Sequence, residues 1–294
     1  METTTLVEGR YFCEGPRWHD GRFWFSDFYA HEISSVGLDG DVRVEVALGD
    51  VMDAEERPSG LGWLPDGRLL FVAMLARTVM RREHDGTVVE HADLGDVATY
   101  HCNDMLVDDN GRAYVGNFGF DLDSALASMG PEGLLTTMIT DRQPYTAVLA
   151  QVDPDGSVTV AADDLAFPNG VVTIGSTLVV AQTLGLELTA FDRAGDGSLS
   201  NRRVWASLAD SMIAPDGIAV DADGAIWVAN AIGTECVRVE EGGVITDRVT
   251  TSQLAFACAL GGPEGRHLLV CTAASSDHEA AAAAPNGRLE LVEL

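Results

Sequence analysis

Along most of the chain, apolar residues come in short runs separated by turn signals, not at helical intervals. Residues 214–230 show the unit. Asp216-Gly217 leads into Ile218-Ala219-Val220, then the Asp223-Gly224 turn, then Ile226-Trp227-Val228. Two short strands around an Asp-Gly turn form a β-hairpin. The frame recurs with Glu14-Gly15 before the turn at Gly21, Ser59-Gly60 before Gly67, Asn103-Asp104 before Gly111, and Asn169-Gly170 before Gly175. In the last copy Ala257 or Cys258 takes the opening position, ahead of Gly265.

The turn glycines are 46, 44, 64, 49 and 41 residues apart. A period of about 40–50 residues with a hairpin in each unit is that of four-stranded propeller blades. A second, outer hairpin follows each inner one, for example residues 32–36 and 42–47, turning at Asp39-Gly40. The pattern therefore predicts an all-β, six-bladed β-propeller of four-stranded blades, one domain over residues 1–294. Residues 3–7 and 288–294 both alternate with period two, and the two ends are expected to meet in one sheet, leaving no open edge. The long third interval holds a short insertion in the third blade, residues 121–145, with a short helix expected over 122–129. It is either a lid or a surface excursion. The Ala-rich residues 274–286 read as a loop.

Composition narrows the function classes. Lys and Arg number 18 against 46 Asp and Glu, a net charge of −28. Such a chain repels nucleic acid and anionic lipid, and neither is expected as a partner. No apolar run is long enough for a transmembrane helix, so no membrane partner is expected. Five cysteines without paired spacing, and a polar stretch over residues 1–9, point to a cytoplasmic location. G-x-S-x-G, H-E-x-x-H and P-loop patterns are absent.

The chemistry lies in the opening position of each repeat. Equivalent positions of successive blades form a ring around the central channel. Here they read Glu14, Ser59, Asn103, Asn169 and Asp216, then Ala257 or Cys258. One Asx-Gly pair is an ordinary turn former, but four carboxylate or amide side chains in one register make a hard-oxygen cation site. Glu14, Asn103, Asn169 and Asp216 are its candidate ligands. Ca²⁺ suits them best, and Mg²⁺, Mn²⁺ or Zn²⁺ could take its place. Asp104 is expected to orient Asn103 from behind. His101, two residues before Asn103, and Asn117, at the end of the third inner hairpin, are candidates for substrate contact; His101 could also shuttle a proton.

E-G-P-R-W at 14–18, N-D at 103–104, F-P-N-G at 167–170 and P-D-G-I-A-V-D at 215–221 occur in order across nearly the whole chain. In these motifs the chain resembles the senescence marker protein/regucalcin/gluconolactonase family. The resemblance implies a six-bladed propeller with a divalent metal at the channel mouth and hydrolysis of a small lactone. It implies Glu14, Asn169 and Asp216 as metal ligands, Asn103 as a fourth ligand or substrate contact, and Asp216 as general base or nucleophile. Regucalcin-like members often carry Arg, contacting sugar hydroxyls, where this chain has His101, so the resemblance does not extend to gluconolactone itself. Two other readings use the same frame: a phosphotriesterase-like hydrolase at the same metal, and a non-catalytic calcium-binding propeller.

Overall fold

A computed structural model describes residues 1–141 and 145–294. Its strands form six separate four-stranded antiparallel sheets. Blade one is β2 (Cys13–His19), β3 (Arg22–Asp27), β4 (Glu32–Val36) and β5 (Val42–Ala47). Blade two is β6 (Pro58–Trp63), β7 (Leu69–Ala73), β8 (Thr78–Arg82) and β9 (Val88–Asp93). Blade three is β10 (Cys102–Val107), β11 (Ala113–Asn117), β12 (Ala147–Val152) and β13 (Val158–Leu165). Blade four is β14 (Pro168–Ile174), β15 (Thr177–Gln182), β16 (Glu187–Arg193) and β17 (Leu199–Ser207). Blade five is β18 (Pro215–Val220), β19 (Ile226–Asn230), β20 (Glu235–Val239) and β21 (Ile245–Thr250).

The sixth blade closes the ring as the alternating ends predict. It takes β22 (Leu254–Gly261), β23 (His267–Ala273) and β24 (Gly287–Glu293) from the end of the chain. Its outermost strand is β1 (Thr4–Arg10), antiparallel to β24, with Thr4 opposite Leu291 and Arg10 opposite Gly287.

The core is a circle of six blade-to-blade seams. Ile33 and Val46 of blade one meet Leu61 and Phe71 of blade two. Leu70 and Val72 then meet Met105 and Val115, and Tyr114 and Leu149 meet Val171 and Leu178. Val179 and Leu188 pack on Ile218 and Val228, Trp227 and Cys236 on Cys258 and Leu268. Leu269 and Leu289 return to Phe23 and Phe25. Each blade buries apolar side chains on both of its faces, which is why the strands read as apolar runs and not as clean alternations. All five cysteines are buried and unpaired. Among the described residues no helix is long and apolar enough to cross a membrane.

Two segments differ from the sequence expectation. The helix expected over 122–129 is the first part of a longer element, α1 (Leu122–Thr140), broken at Gly130, whose φ of 69° and ψ of 170° are not helical. Asp121 caps its start by accepting from the Ser124 N–H. Ala125, Leu134 and Met138 pack against Ala166, so the insertion leans on the loop entering blade four. Residues 142–144 of the predicted insertion lie outside the described residues. The stretch read as a loop at 274–286 contains α2 (His278–Ala283), with Asp277 accepting from the Ala280 N–H.

Candidate active site at the mouth of the channel

Each inner strand carries a register shift just where its opening residue falls. The shifts lie between Glu14 and Arg17, Pro58 and Leu61, Cys102 and Met105, Pro168 and Val171, Pro215 and Ile218, and Ala255 and Ala257. A bulge re-aims the side chain it contains. Here it does so six times at one end of the channel, with Glu14, Ser59, Asn103, Asn169 and Asp216 as the first five members. The register of blade six puts Phe256 in the sixth place, not Ala257 or Cys258. Ala257 instead takes the position that follows, packed under Gly217.

That following position explains the glycines. A Cβ on Gly60 would lie 2.2 Å from the Met105 nitrogen, one on Gly170 2.6 Å from the Asp216 carbonyl oxygen, and one on Gly217 2.6 Å from the Ala257 Cα. The backbone of the next blade occupies the space, so the ring closes only if these residues lack a side chain. Blade three departs from this with Asp104, which is buried. Its Oδ1 accepts from Arg17 Nη2 at 2.9 Å and from its neighbour's Met105 N–H at 2.8 Å. Arg17 Nη2 also donates to the Met105 carbonyl at 2.6 Å, tying blade one to blade three across the channel. The hydrogen bond that holds Asn103 comes from Ser59, whose Oγ donates to Asn103 Oδ1 at 3.2 Å. Asp104 is engaged with Arg17 instead.

The four candidate ligands are withdrawn from solvent, Glu14 being 6%, Asn103 6%, Asn169 2% and Asp216 7% exposed. Burial pushes the Glu14 carboxyl well above the usual carboxylate range, and the negative charges of Asp216 and Asp104 push it further. Burial and the Asp104 charge do the same to Asp216, opposed by the Asn169 amide. Asp216 Oδ1 is buried without a hydrogen-bond partner. Asn169 Nδ2 donates to Thr183 Oγ1 at 3.3 Å, and that hydroxyl donates to the Pro215 carbonyl at 2.8 Å, which fixes the amide against the strand bearing Asp216. Thr183 occupies the place that Phe28, Met74, Phe118 and Ala231 take in other blades, so the repeat frame gives its position but not its hydroxyl.

Asn117 and His101 sit beside this ring. Cys102, the neighbour of Asn103, pairs with Asn117. Asn117 Nδ2 donates to the Val148 carbonyl at 2.8 Å, while its Oδ1 is buried and unpartnered. The His101 ring lies 4.1 Å from that of Tyr100, and burial lowers its pKa, aided by the positive charge of Arg57.

These residues fit a divalent cation. Two buried carboxylates, one with an orphaned oxygen, and two side-chain amides are hard donors; the nearby Arg17 tempers Glu14 but is hydrogen-bonded to Asp104. Among the described residues no group of three or more His, Cys, Asp or Glu is arranged to hold a metal. The candidate set has two such side chains and owes the rest to amides.

Comparison with known proteins agrees with this architecture. Residues 12–274 match the family model described as SMP-30/Gluconolactonase/LRE-like region. The chain is 36% identical to an L-arabinolactonase of Azospirillum brasilense over 92 residues, 31% of each chain. It is 27% identical to regucalcin of Xenopus laevis over 176 residues, 58% of this chain and 54% of that one. To a pentonolactonase of Haloferax volcanii it is 27% identical over 280 residues, 88% of this chain and 81% of that one. The first two matches thus span a third to a half of those relatives' lengths. Among solved structures, a luciferin-regenerating enzyme superposes with a TM-score of 0.77 at 18% identity, covering 100% of this chain and 94% of the other. A gluconolactonase from Xanthomonas campestris superposes at 0.73 with 24% identity, covering 99% and 89%. The match over residues 12–274, on six blades opened by one ring of side chains, places this chain in the SMP-30/gluconolactonase/LRE-like family.

Proposed function

We propose that the protein is a metal-dependent lactonase, with Glu14, Asn103, Asn169 and Asp216 holding a divalent cation, Ca²⁺ first. The observation that carries this reading is the pair of buried carboxylates, Glu14 and Asp216, both hard to ionise where they stand, in a ring whose other members are two amides, a hydroxyl and Phe256. Leaving such a pair uncompensated is costly. The lactonase names of three relatives, the arabinolactonase, the pentonolactonase and the gluconolactonase, supply the substrate class.

When bound, the cation would neutralise the two carboxylates and polarise an ester carbonyl. The chain's own residues supply the rest. Asp216 accepts a proton from the water whose oxygen adds to the lactone carbonyl carbon; the ring C–O bond then breaks and the ring oxygen takes up a proton. The products are one hydroxy acid and, at neutral pH, one released proton. Asn169, anchored by Thr183, keeps the Asp216 carboxylate aimed into the channel. Asn103, held by Ser59, is both ligand and substrate contact. His101 and Asn117 line the approach and contact the substrate. Burial keeps His101 neutral near pH 7, able to accept a hydrogen bond from a hydroxyl.

Acid release from a panel of sugar lactones tests this. Activity is expected to vanish on chelation and return with Ca²⁺, Mg²⁺, Mn²⁺ or Zn²⁺. Protein that opens no lactone with any of the four would end the proposal.

A further inference from the structure

On the channel-mouth face, the residue two places before each ring position lies one strand step further out, roughly 6–7 Å along the backbone. Those residues are Phe12, Arg57, His101, Phe167, Ala214 and Leu254. Arg57 and His101 are the two that carry polar side chains, and they belong to adjacent blades.

Among the described residues no carboxylate pairs with Arg57, a state it shares with Arg77, Arg82 and Arg202, although the chain has 46 acidic residues. Glu56, next to Arg57, is turned away. That carboxylate is buried and accepts the backbone N–H groups of Arg57, Leu75 and Ala76. The guanidinium lies over the Tyr29 ring, 5.0 Å from its centroid, and Nη2 is 3.1 Å from His278 Nδ1. The Tyr29 hydroxyl in turn lies 3.2 Å from His278 Nδ1. Stacking and one contact thus fix the plane of the group. Nε is buried without a partner, and Nη1 makes no hydrogen bond among the described residues. A flat, oriented guanidinium with unused N–H groups matches the two oxygens of a carboxylate.

The group borders a cavity of about 390 Å³ whose lining includes Tyr11, Tyr29, His31, Arg57 and His278. Pockets of about 300–1,000 Å³ are usual for small ligands. Glu55 also lines it, but is exposed and therefore screened. The chain's net charge of −28 disfavours a multiply charged group such as phosphate more than a single carboxylate.

We infer that Arg57, held by Tyr29 and His278, is the anion-binding half of the substrate site, and that the substrate is a lactone bearing a carboxylate outside its ring. This rests on the lactonase reading for the word lactone, and on the cavity alone for the carboxylate.

Galactono-1,4-lactone and galactaro-1,4-lactone differ only in carrying CH₂OH or COO⁻ at the far carbon. The wild type is expected to favour the carboxylated one in kcat/KM. Arg57→Met should lower that value about 10- to 100-fold, chiefly through KM, with the neutral lactone within about threefold of wild type. Arg57→Lys should recover part of the loss. Equal losses on both lactones, or none on either, would overturn the inference. Calorimetry with the open-chain acids, galactarate against galactonate, separates the two proposals. Tighter, Arg57-dependent binding of galactarate by a protein that opens neither lactone would keep the anion site and discard the lactonase. Hydrolysis of both lactones without Arg57-dependent discrimination would do the reverse.

Discussion

Burial, then the neighbouring carboxylates, makes Glu14 and Asp216 hard to ionise, and this sets a pH dependence with a definite sign. Their folded-state pKa values are raised, so the folded protein binds these protons more tightly than the unfolded chain. The stabilisation is complete below the unfolded carboxylate pKa and is lost as pH rises through the folded values. Chelated protein should therefore lose thermal stability as pH rises above the ordinary carboxylate range, partly through this pair. Asp216→Asn removes one charge. It should raise the Tm of the chelated protein at pH 8, by an amount worth about 1–2 kcal/mol, flatten the pH dependence, and abolish lactone turnover. Thermal melts of both proteins from that range up to pH 8 check this; an Asn variant melting lower than wild type at pH 8 would contradict it. Glu14, Asn103, Asn169 and Asp216 were legible in the sequence because they share one register of a repeat. The Arg17–Asp104 pair was not, since its members are 87 residues apart and meet only across the closed channel. Arg57 stands before Ser59 as His101 stands before Asn103, an equivalence that the repeat frame itself contains.

At the scale of single elements, the inner strands carry the design: a bulge aims the side chain, and the glycine after it lets the next blade approach. Gly60 is the sharpest case, with the Met105 backbone nitrogen 2.2 Å from where a Cβ would stand. Backbone cannot swing aside as a side chain can. Gly60→Ala should cost about 3 kcal/mol and reduce soluble yield. Gly67→Ala, at a hairpin turn with φ of 87° and open space around it, should cost about 1–2 kcal/mol. Chemical denaturation of the two variants compares them, and equal midpoints would remove the packing argument. Strands and turns were readable because Asp-Gly turns punctuate them; all six turn glycines, such as Gly21, Gly111 and Gly224, have positive φ. The helices were harder. Gly130 splits the apolar positions of α1, so the pattern shows the first part of it alone. The alanine run of α2 lacks periodicity and reads as a loop, although Asp277, three residues before Ala280, is a readable cap.

For the molecule as a whole, six seams form a circle and β1 completes the last blade. Deleting residues 1–10 would bare the edge of β24 and remove Leu6 and Val7, uncovering the seam between blades six and one on which they pack. The truncated protein should melt about 5–10 °C lower and associate through that edge, as light scattering would show; unchanged melting and a monodisperse sample would mean the closing strand is dispensable. The blade count was visible in the turn spacing, and the closure in the alternation at both ends. What repetition could not reveal was the sixth ring position, where one residue of register decides between Phe256 and Ala257.

The pairing of Thr4 with Leu291 also bears on biosynthesis. β1 has its partner in β24, so the early strand must wait, unpaired, while five blades are translated. Contacts of such long sequence separation form slowly, and a nascent chain in this interval presents an open edge that a chaperone, or a second nascent copy, could occupy.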